Sequence, residues 1–266
     1  MITGTTRCYP LVGHPVAQVR TPPAINNYFS ESDIDAVMFA VDIEPWAVEG
    51  FFLAMRRWSN CGGCSVTVPH KQAAFRAMDR LSERARNARA VNIFRRDPDG
   101  ALVGDMTDGV AFISALGQHG FSPAGKNVLL VGAAGGAGTA IAHAVLEEKP
   151  VALYLVDRNR PALTKMTSSL RYGSADVSVL EGWPVDAAPD LAINASPAGM
   201  YPDRSLPFDI ERLPLGAFVA DIVTKPNITP LLSAARARGH RICTGNEMAD
   251  AQLEFQMRHL GLWRAA

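Results

Sequence analysis

A glycine- and alanine-rich turn lies near the middle of the 266-residue chain. The turn, Gly132-Ala133-Ala134-Gly135-Gly136-Ala137-Gly138, follows the apolar run Asn127–Val131 and opens an alanine-rich segment with helical spacing. Glycines carry no Cβ atom to hold phosphates away from the backbone, and a helix start offers N–H groups and a positive dipole end. We interpret this pattern as a dinucleotide-binding turn; the alternative is a tight strand–helix turn without a ligand.

An acidic residue follows this turn at a suitable distance. The apolar run Val151–Val156 ends in Asp157, about 25 residues after Gly132, which is close to the spacing of an acid that binds the adenosine ribose. A carboxylate accepts hydrogen bonds from the ribose hydroxyls of NAD and repels the 2′-phosphate of NADP. Arg158 can stack on adenine or pair with that phosphate. We therefore expect NAD as the preferred cofactor, with NADP as the alternative.

The charge balance argues against several classes of partner. The chain has 26 basic and 26 acidic residues, and its formal net charge is zero, so we expect no nucleic-acid and no membrane-surface partner. The segment Met1–Arg7 lacks the charged and then apolar layout of a signal peptide. We expect a cytoplasmic protein that is a monomer or a homodimer.

The cysteines are the residues that could bind a metal or undergo redox chemistry. Cys61-Gly62-Gly63-Cys64 has the CxxC form, but no second CxxC and no paired histidines follow at ligand spacing. We favour buried structural thiols over metal or redox chemistry, and no metal ligand is predicted.

These residues must be positioned by a framework of strands and helices. Strand-like and helix-like segments alternate along the chain, which is typical of an α/β protein with a parallel sheet. Asp97–Gly100 has the composition of a hairpin turn. Segment Asn246–Leu260 has the pattern of one amphipathic helix with no strand after it, and we expect it to pack against the first domain. Strands are predicted at Ala90–Phe94, Val128–Val131, Val151–Val156, Val177–Leu180, Leu191–Asn194 and Phe218–Asp221.

Several separate motifs follow one another along the chain in a recognisable order. They are Gly13-His14-Pro15-Val16-Ala17 with Thr21-Pro22, Ser65-Val66-Thr67-Val68-Pro69-His70-Lys71, Ala90-Val91-Asn92, Gly104-Asp105-Met106-Thr107-Asp108-Gly109, the glycine-rich turn, Asn194-Ala195-Ser196-Pro197-Ala198-Gly199-Met200, and Met248 to Gln252. Together they resemble the shikimate/quinate dehydrogenase family over essentially the whole chain. The resemblance implies an N-terminal α/β substrate domain, a C-terminal Rossmann-type doubly wound parallel-sheet domain, and an active site in the cleft between them. The expected ranges are 1–105 with 245–266 for the first domain and 106–244 for the second.

The resemblance also implies roles for individual residues. Lys71 and Asp108 are the expected catalytic pair, because a lysine and a carboxylate on one hydroxyl can orient it and relay its proton as the hydride leaves carbon. Taken singly, each could instead be a surface lysine after a proline or a helix-capping aspartate. The expected substrate ligands are Thr21, Ser65, Thr67, Asn92 and Gln252. The expected cofactor contacts are Gly132, Ala134, Gly135, Gly136, Ala137, Asp157, Arg158, Asn194, Ser196, Met200, Ile222 and Gly245.

The sequence departs from the family pattern at several positions. The family commonly has serine at the position of Val19 and serine or threonine at the position of Thr21, and these hydroxyls hold the substrate carboxylate. A tyrosine that often assists is replaced by Thr224. The family's asparagines at Ser65 and Met106 are also replaced, and the turn at 132–138 holds one alanine more than GxGGxG. Losing one donor to a buried carboxylate costs about 1.5–3 kcal/mol, or about one to two decades in affinity. The changes indicate weak binding of shikimate or a related compound as substrate.

The expected activity is hydride transfer between NAD(P) and a ring hydroxyl of shikimate, quinate or a related hydroxylated cyclic carboxylate. A catalytically weak or inactive cofactor-binding regulator on the same fold is the alternative that the altered carboxylate ligands favour. A dehydrogenase of this fold that acts on an unrelated alcohol is a further alternative.

Overall fold

A computed structural model of the chain describes residues 1–17, 19–170, 178–181, 183 and 188–264. The described chain divides into two compact units. Unit 1 comprises Met1–Thr107 and Gln252–Ala266, and unit 2 comprises Asp108–Ala251. The assignment of a substrate domain and a cofactor domain to the ranges expected from the sequence remains a proposal. Among the described residues, no helix combines the length and apolar character needed to cross a bilayer.

Unit 1 contains a mixed sheet of six strands with helices between them. The sheet order is β2-β1-β3-β5-β6-β4. Its elements are β1 (Arg7–Gly13), α1 (Thr21–Glu31), β2 (Ala36–Asp42), α2 (Val48–Met55), β3 (Gly63–Val66), α3 (Lys71–Ala77), β4 (Arg80–Leu81), α4 (Glu83–Ala88), β5 (Ile93–Arg96) and β6 (Leu102–Asp105).

The predicted hairpin turn joins β5 and β6. These two strands pair antiparallel, and the Gly100 N–H donates to the Asp97 carbonyl at 2.9 Å. Gly100 has a φ of +88°, a conformation that a residue without a Cβ atom adopts at little cost. The turn chemistry in the sequence therefore predicted this connection correctly.

The predicted strand at Ala90–Phe94 is shifted in the structure, where β5 begins only at Ile93. The Ala90 N–H donates to the Ala85 carbonyl at 3.3 Å, and the Val91 N–H donates to the Lys71 carbonyl at 2.9 Å. These bonds to a helix end and a helix start remove Ala90 and Val91 from the sheet, although both side chains are buried.

The end of the chain contributes to the core of unit 1. The last helix, α9 (Gly245–Leu260), crosses the boundary between the units. Its Met257 and Leu260 lie in one buried cluster with Tyr9 and Phe29.

Unit 2 contains a parallel sheet of six strands in the order β12-β11-β10-β7-β8-β9. The predicted α/β architecture with a parallel sheet is confirmed. Its elements are α5 (Asp108–Gln118), β7 (Asn127–Val131), α6 (Gly136–Glu147), β8 (Ala152–Val156), α7 (Arg160–Ser169), β9 (Ser178–Glu181), β10 (Leu191–Asn194), a 3-10 turn (Ile210–Arg212), β11 (Phe218–Asp221), α8 (Pro230–Ala237), β12 (Arg241–Cys243) and the start of α9.

The sequence prediction omitted one strand of this sheet and placed another partly outside the described residues. Strand β12, which pairs with β11, was not predicted, because three residues are too few to show a period. Val177, the predicted start of another strand, lies outside the described residues, and β9 is described from Ser178.

The strand order of unit 2 reverses at β7. The chain runs outward through β8 and β9 on one side and returns to β10, β11 and β12 on the other. Ligands of open α/β sheets bind beyond the carboxyl ends of the strands at such a switch point. The loops that follow β7 and β10 therefore occupy the expected position for a ligand site in this unit.

Candidate functional site

The glycine-rich turn follows β7 and fits tightly against the loop after β10. Gly132 has a φ of +81°, and a Cβ atom there would lie 2.5 Å from the Ser196 nitrogen. A Cβ atom on Gly138 would lie 2.1 Å from the Gly132 carbonyl oxygen. Both positions therefore require glycine for close packing of turn, helix and neighbouring loop.

The first turn of α6 has no side-chain cap. The helix begins at Gly136, and Gly135 precedes it with extended backbone and without a side-chain capping bond. Gly135 is exposed, and Gly136 and Ala137 are half-buried. The helix dipole and the N–H groups of this turn suit a phosphate.

Asp157 ties the turn to the end of β8. Its Oδ2 accepts a hydrogen bond from the Ala134 N–H at 2.9 Å, and its Oδ1 accepts one from the Asn159 N–H at 2.8 Å. Asp157 is half-buried, and Arg158 beside it is exposed. The carboxylate thus lies against the glycine-rich turn, and the expected role of Asp157 as a ribose-binding acid remains a prediction.

Asn194 organises the loop after β10. Its Oδ1 accepts hydrogen bonds from the Ser196 N–H at 3.0 Å and from Ser196 Oγ at 2.6 Å. Its Nδ2 donates to the Ala198 carbonyl at 3.1 Å. Asn194 is fully buried and Met200 is half-buried, so the asparagine fixes the loop backbone.

Asp221 ends the next strand and is a buried acid without a cationic partner among its described contacts. Its Oδ1 accepts from Asn194 Nδ2 and from the Val223 N–H, both at 3.0 Å, and its Oδ2 accepts from Thr229 Oγ1 at 2.7 Å. Burial raises the pKa of Asp221 to about 6, although these three donors oppose the shift. Asp221 is not among the site residues predicted from the sequence, where its signal is an acid at the end of an apolar strand.

The remaining residues of unit 2 in the expected site lie on the same edge or on helix starts. Ile222 follows Asp221 and donates its N–H to the Asn194 carbonyl at 3.0 Å. A Cβ atom on Gly245 would lie 2.6 Å from the Ile222 carbonyl oxygen, so the start of α9 packs directly on this loop. Asp108 is buried in the first turn of α5, where its charge interacts well with the helix dipole.

In unit 1, Lys71 is the first residue of α3 and is half-buried. His70 before it is buried and bonds through Nε2 to the Ile43 carbonyl at 2.7 Å. The Lys71 carbonyl accepts the Val91 N–H. The backbone that carries the lysine is therefore held on both sides.

Asn92 and Thr107 form a buried pair in unit 1. Asn92 Nδ2 donates to Thr107 Oγ1 at 3.0 Å, and the Thr107 N–H donates to Asn92 Oδ1 at 2.9 Å. The pair fixes the amide plane of Asn92. Thr67, which follows β3, is half-buried and donates its N–H to the Val12 carbonyl at 2.9 Å.

A chain of polar side chains connects two further expected substrate ligands. Ser65 Oγ donates to Gln256 Oε1 at 3.5 Å, and Gln256 Nε2 donates to Gln252 Oε1 at 3.3 Å. The buried Gln256 was missed in the sequence; the signal is its position one helical turn after Gln252. It orients the amide of Gln252 and holds Ser65.

The position expected to carry a carboxylate ligand is apolar. Val19 is half-buried and packs against the cluster that includes Ile25 and Phe29. Thr21 starts α1, with Arg20 exposed at the N-cap position. Thr224 is half-buried in the loop after β11.

A charged network of unit 1 was also missed. The Asp105 carboxylate is buried and accepts from Arg84, from Ser82 and from the Met106 N–H, the last at 2.7 Å. Burial alone would raise the pKa of Asp105, but the bonds from Arg84 and Ser82 outweigh it and hold the pKa below its usual value. This network fixes the backbone before Thr107.

Within each unit the structure brings some of the expected residues together, whereas no hydrogen bond described here connects Thr21 or Thr67 with the other expected substrate ligands. Unit 2 gathers the glycine-rich turn, Asp157, Asn194 and Ile222 at the carboxyl ends of its strands, and unit 1 gathers Asn92 with Thr107 and Ser65 with Gln252 through Gln256. Lys71 belongs to unit 1 and Asp108 to unit 2.

Comparison with known proteins gives a consistent result. A family model for the shikimate dehydrogenase substrate binding domain matches residues 11–94. Shikimate dehydrogenase (NADP(+)) of Rhodospirillum rubrum is 36% identical over 248 residues, which cover 90% of this chain and 86% of that protein.

Solved structures agree with this relationship. Shikimate 5-dehydrogenase from Thermus thermophilus, in complex with NADP(H) and shikimate, has a TM-score of 0.84 at 26% identity and covers 96% of this chain and 93% of its own. Quinate dehydrogenase from Corynebacterium glutamicum, in complex with NAD, has the same TM-score, identity and coverage. Because a relative above 30% identity spans nearly all of both chains, the chain belongs to the shikimate dehydrogenase family.

Proposed function

We propose that this protein is an oxidoreductase that transfers a hydride between NAD(P) and a ring hydroxyl of shikimate, quinate or a related hydroxylated cyclic carboxylate. The observation that carries the proposal is the arrangement at the switch point of unit 2. There Gly132 and Asp157 follow β7 and β8, and Asn194 ends the neighbouring parallel strand β10. A dinucleotide binds at this position in this kind of sheet. We propose a cytoplasmic location for the enzyme.

The residues of unit 2 fit a nicotinamide dinucleotide. The N–H groups of Gly136 and Ala137 suit the pyrophosphate, and Gly135, without a Cβ atom, lets the pyrophosphate approach the turn. Asp157 and Arg158 suit the adenosine end, and the loop from Asn194 through Met200 with Ile222 suits the nicotinamide end. Gly245 allows close packing on that loop. The bound cofactor supplies the hydride acceptor or donor.

Lys71 and Asp108 are proposed to handle the proton. An alcohol that loses a hydride from carbon must lose a proton from oxygen, and a paired amine and carboxylate can orient the hydroxyl and accept that proton. Thr21, Ser65, Thr67, Asn92 and Gln252 are proposed to position the ring. The amides donate and accept together, and Thr107 and Gln256 hold those amides in place.

NAD is proposed as the preferred cofactor. Both oxygens of Asp157 accept backbone hydrogen bonds, which keeps a carboxylate at the position where the 2′-phosphate of NADP would need to bind. The relatives do not separate the two cofactors, since the quinate dehydrogenase from Corynebacterium glutamicum is in complex with NAD and the relative from Rhodospirillum rubrum is a shikimate dehydrogenase (NADP(+)). The proposal of NAD therefore depends on Asp157.

We propose that the substrate differs from shikimate at its carboxylate end, or that the protein binds shikimate weakly. Val19 has no side-chain donor and is half-buried against the core of unit 1. Thr224 and Ser65 are shorter than the tyrosine and asparagine that the family commonly has there, and Met106 is buried. Arg20 is exposed nearby in sequence and offers a compensating charge.

The test is a panel that follows the absorbance of reduced nicotinamide. The protein is mixed with NAD or NADP and with shikimate, quinate or unrelated alcohols. Turnover of shikimate or quinate supports the proposal. Cofactor binding without turnover of any cyclic carboxylate overturns it in favour of a non-catalytic cofactor-binding protein, and turnover of unrelated alcohols alone overturns the substrate class.

A further inference from the structure

A group of metal-ligating side chains lies in unit 2 and has no part in the proposed reaction. His119, Cys243 and Glu247, here called the His119 cluster, place one ligand atom each within 4.8 Å of one another. His119 follows α5, Cys243 ends β12, and Glu247 lies in the first turn of α9. Three separate elements therefore bring nitrogen, sulphur and oxygen ligands to one point.

The carboxylate of Glu247 is oriented by its own helix. Its Oε2 accepts from the Thr244 N–H at 2.6 Å and from Thr244 Oγ1 at 2.8 Å, while the Glu247 N–H donates to Thr244 Oγ1 at 3.2 Å. This is a capping box. The other oxygen, Oε1, accepts from His119 Nε2 at 3.0 Å, so one carboxylate oxygen is held by the helix start and the other faces the histidine.

The other two ligands are also held in place. The His119 ring packs edge-on against Phe218 at 5.7 Å between centroids. The backbone carbonyl of His119 accepts a hydrogen bond from Arg241. Cys243 is 1% exposed. Burial, with a contribution from Glu247, raises the pKa of the Cys243 thiol to about 12.

We propose that the His119 cluster binds one Zn²⁺ ion through His119 Nε2, Cys243 Sγ and Glu247 Oε1, with water as the fourth ligand. Zinc prefers a tetrahedral set of histidine, cysteine and carboxylate ligands at about 2.0–2.3 Å. Those bond lengths require ligand atoms about 3.3–3.8 Å apart. The three ligand atoms lie within 4.8 Å of one another, so binding requires these side chains to rearrange. Mg²⁺ and Ca²⁺ require a larger shell of oxygen ligands.

Binding has a defined proton balance. The ion replaces the thiol proton of Cys243, which leaves to solvent. It also displaces the Nε2 proton that His119 donates to Glu247, so that His119 binds the ion as the tautomer protonated at Nδ1. The side chains of His119 and Glu247 are 30% and 38% exposed, which leaves access for the ion and for water. Glu247 and its capping bonds would then link the ion to the start of α9 and stabilise unit 2.

The sequence alone did not reveal this site. His119 is far from Cys243 and Glu247 in the chain, and the CxxC at Cys61–Cys64 is a more conspicuous pattern. An ion pair between His119 and Glu247 explains two of the residues without a metal. The involvement of Cys243 therefore decides between the two interpretations.

The experiment uses the full-length protein treated with a chelator and titrated with Co²⁺ as a spectroscopic substitute and with Zn²⁺. We expect one ion per chain, a thiolate-to-cobalt charge-transfer absorption, and a higher melting temperature with Zn²⁺. At a free Zn²⁺ concentration about 100 times the Kd, the ratio of folded to unfolded protein should rise about 100-fold. Absence of the absorption in the wild-type protein overturns the proposal.

Matched variants locate the ion. Cys243→Ala should abolish the charge-transfer absorption, whereas Cys8→Ala, at a thiol outside the cluster, should retain it. Glu247→Gln keeps a carbonyl oxygen for the capping box and should weaken binding about tenfold or more even where Cys243→Ala folds poorly. Retention of the absorption in Cys243→Ala, or equal affinity in Glu247→Gln, overturns the proposed site.

Discussion

Asn194 and Asp221 are joined by a hydrogen bond of 3.0 Å between amide and carboxylate, with both side chains buried at the ends of neighbouring parallel strands. Through this bond the loop after β10 is linked to the loop after β11 and, through Thr229, to the start of α8. The segment proposed to contact nicotinamide is therefore positioned by an acid that itself is not proposed to touch the cofactor.

Replacing Asp221 with alanine should weaken both folding and cofactor binding. The change removes the acceptor of three buried donors, each of which costs about 1–3 kcal/mol when unsatisfied. We expect the free energy of unfolding to fall by about 3 kcal/mol or more and the KM for the cofactor to rise, with a smaller effect on kcat at saturation. Denaturant titration and steady-state kinetics measure the two effects. A normal KM in a folded variant would remove Asp221 from the positioning of the loop.

Asp221 should also give the protein a distinct pH dependence. Its pKa is raised from 3.8 to about 6 in the folded state, so its contribution to stability is fully present below about pH 4 and is lost as the pH rises through 6. The loss amounts to about 3 kcal/mol at most. Denaturant titrations from pH 4 to pH 7 should show this decrease for the wild type and its absence for Asp221→Asn. Parallel curves for the two proteins would contradict the assignment.

Replacing Lys71 with alanine should remove most of the activity and leave the cofactor site intact. We expect kcat to fall about 100-fold or more, since a positioned proton-transfer group contributes about that factor. Cofactor affinity, measured by nicotinamide fluorescence, should stay within about twofold of the wild type. Lys71→Arg keeps a positive charge at this position, but a guanidinium group stays protonated and cannot accept a proton. Unchanged turnover in the alanine variant would exclude Lys71 from the mechanism.

Replacing Asp157 with asparagine should shift the cofactor preference toward NADP. The amide retains an oxygen that can accept the Ala134 N–H but loses the negative charge that repels a 2′-phosphate. We expect the ratio of kcat/KM for NAD over that for NADP to fall about tenfold or more. Arg158→Ala is the comparison variant, and it should change this ratio in the opposite direction if Arg158 pairs with the phosphate. A wild-type protein that already prefers NADP would contradict the proposed role of Asp157.

Removing Arg84 should destabilise unit 1 in a pH-dependent manner. Arg84→Ala leaves the buried Asp105 carboxylate without its cationic partner, and we expect a loss of about 2 kcal/mol at pH 7, reduced by the partial exposure of Arg84. Because the pKa of Asp105 is lowered in the folded state, this stabilisation is present above pH 4 and is lost as the pH falls. Arg80→Ala, which breaks the more exposed pair with Asp97, is the control. Equal losses in both variants at pH 7 would contradict the prediction.

The sequence by itself determined the features that depend on neighbouring residues. The strand, turn and helix from Asn127 through Glu147, the hairpin turn at Gly100, and the last helix are all visible as apolar periods bounded by glycine and turn residues. The order of the motifs was sufficient to identify the family. Local backbone preference and side-chain period act within a few residues, so they can be recognised in the sequence without knowledge of any distant contact.

Only the tertiary structure decided which distant groups meet. It placed Asn194 beside Asp221, Ser65 beside Gln256, and His119 beside Glu247. It also removed Ala90 and Val91 from the predicted strand through backbone bonds to two helices. These contacts depend on strand order and register, which are set by burial over the whole sheet rather than by any local pattern.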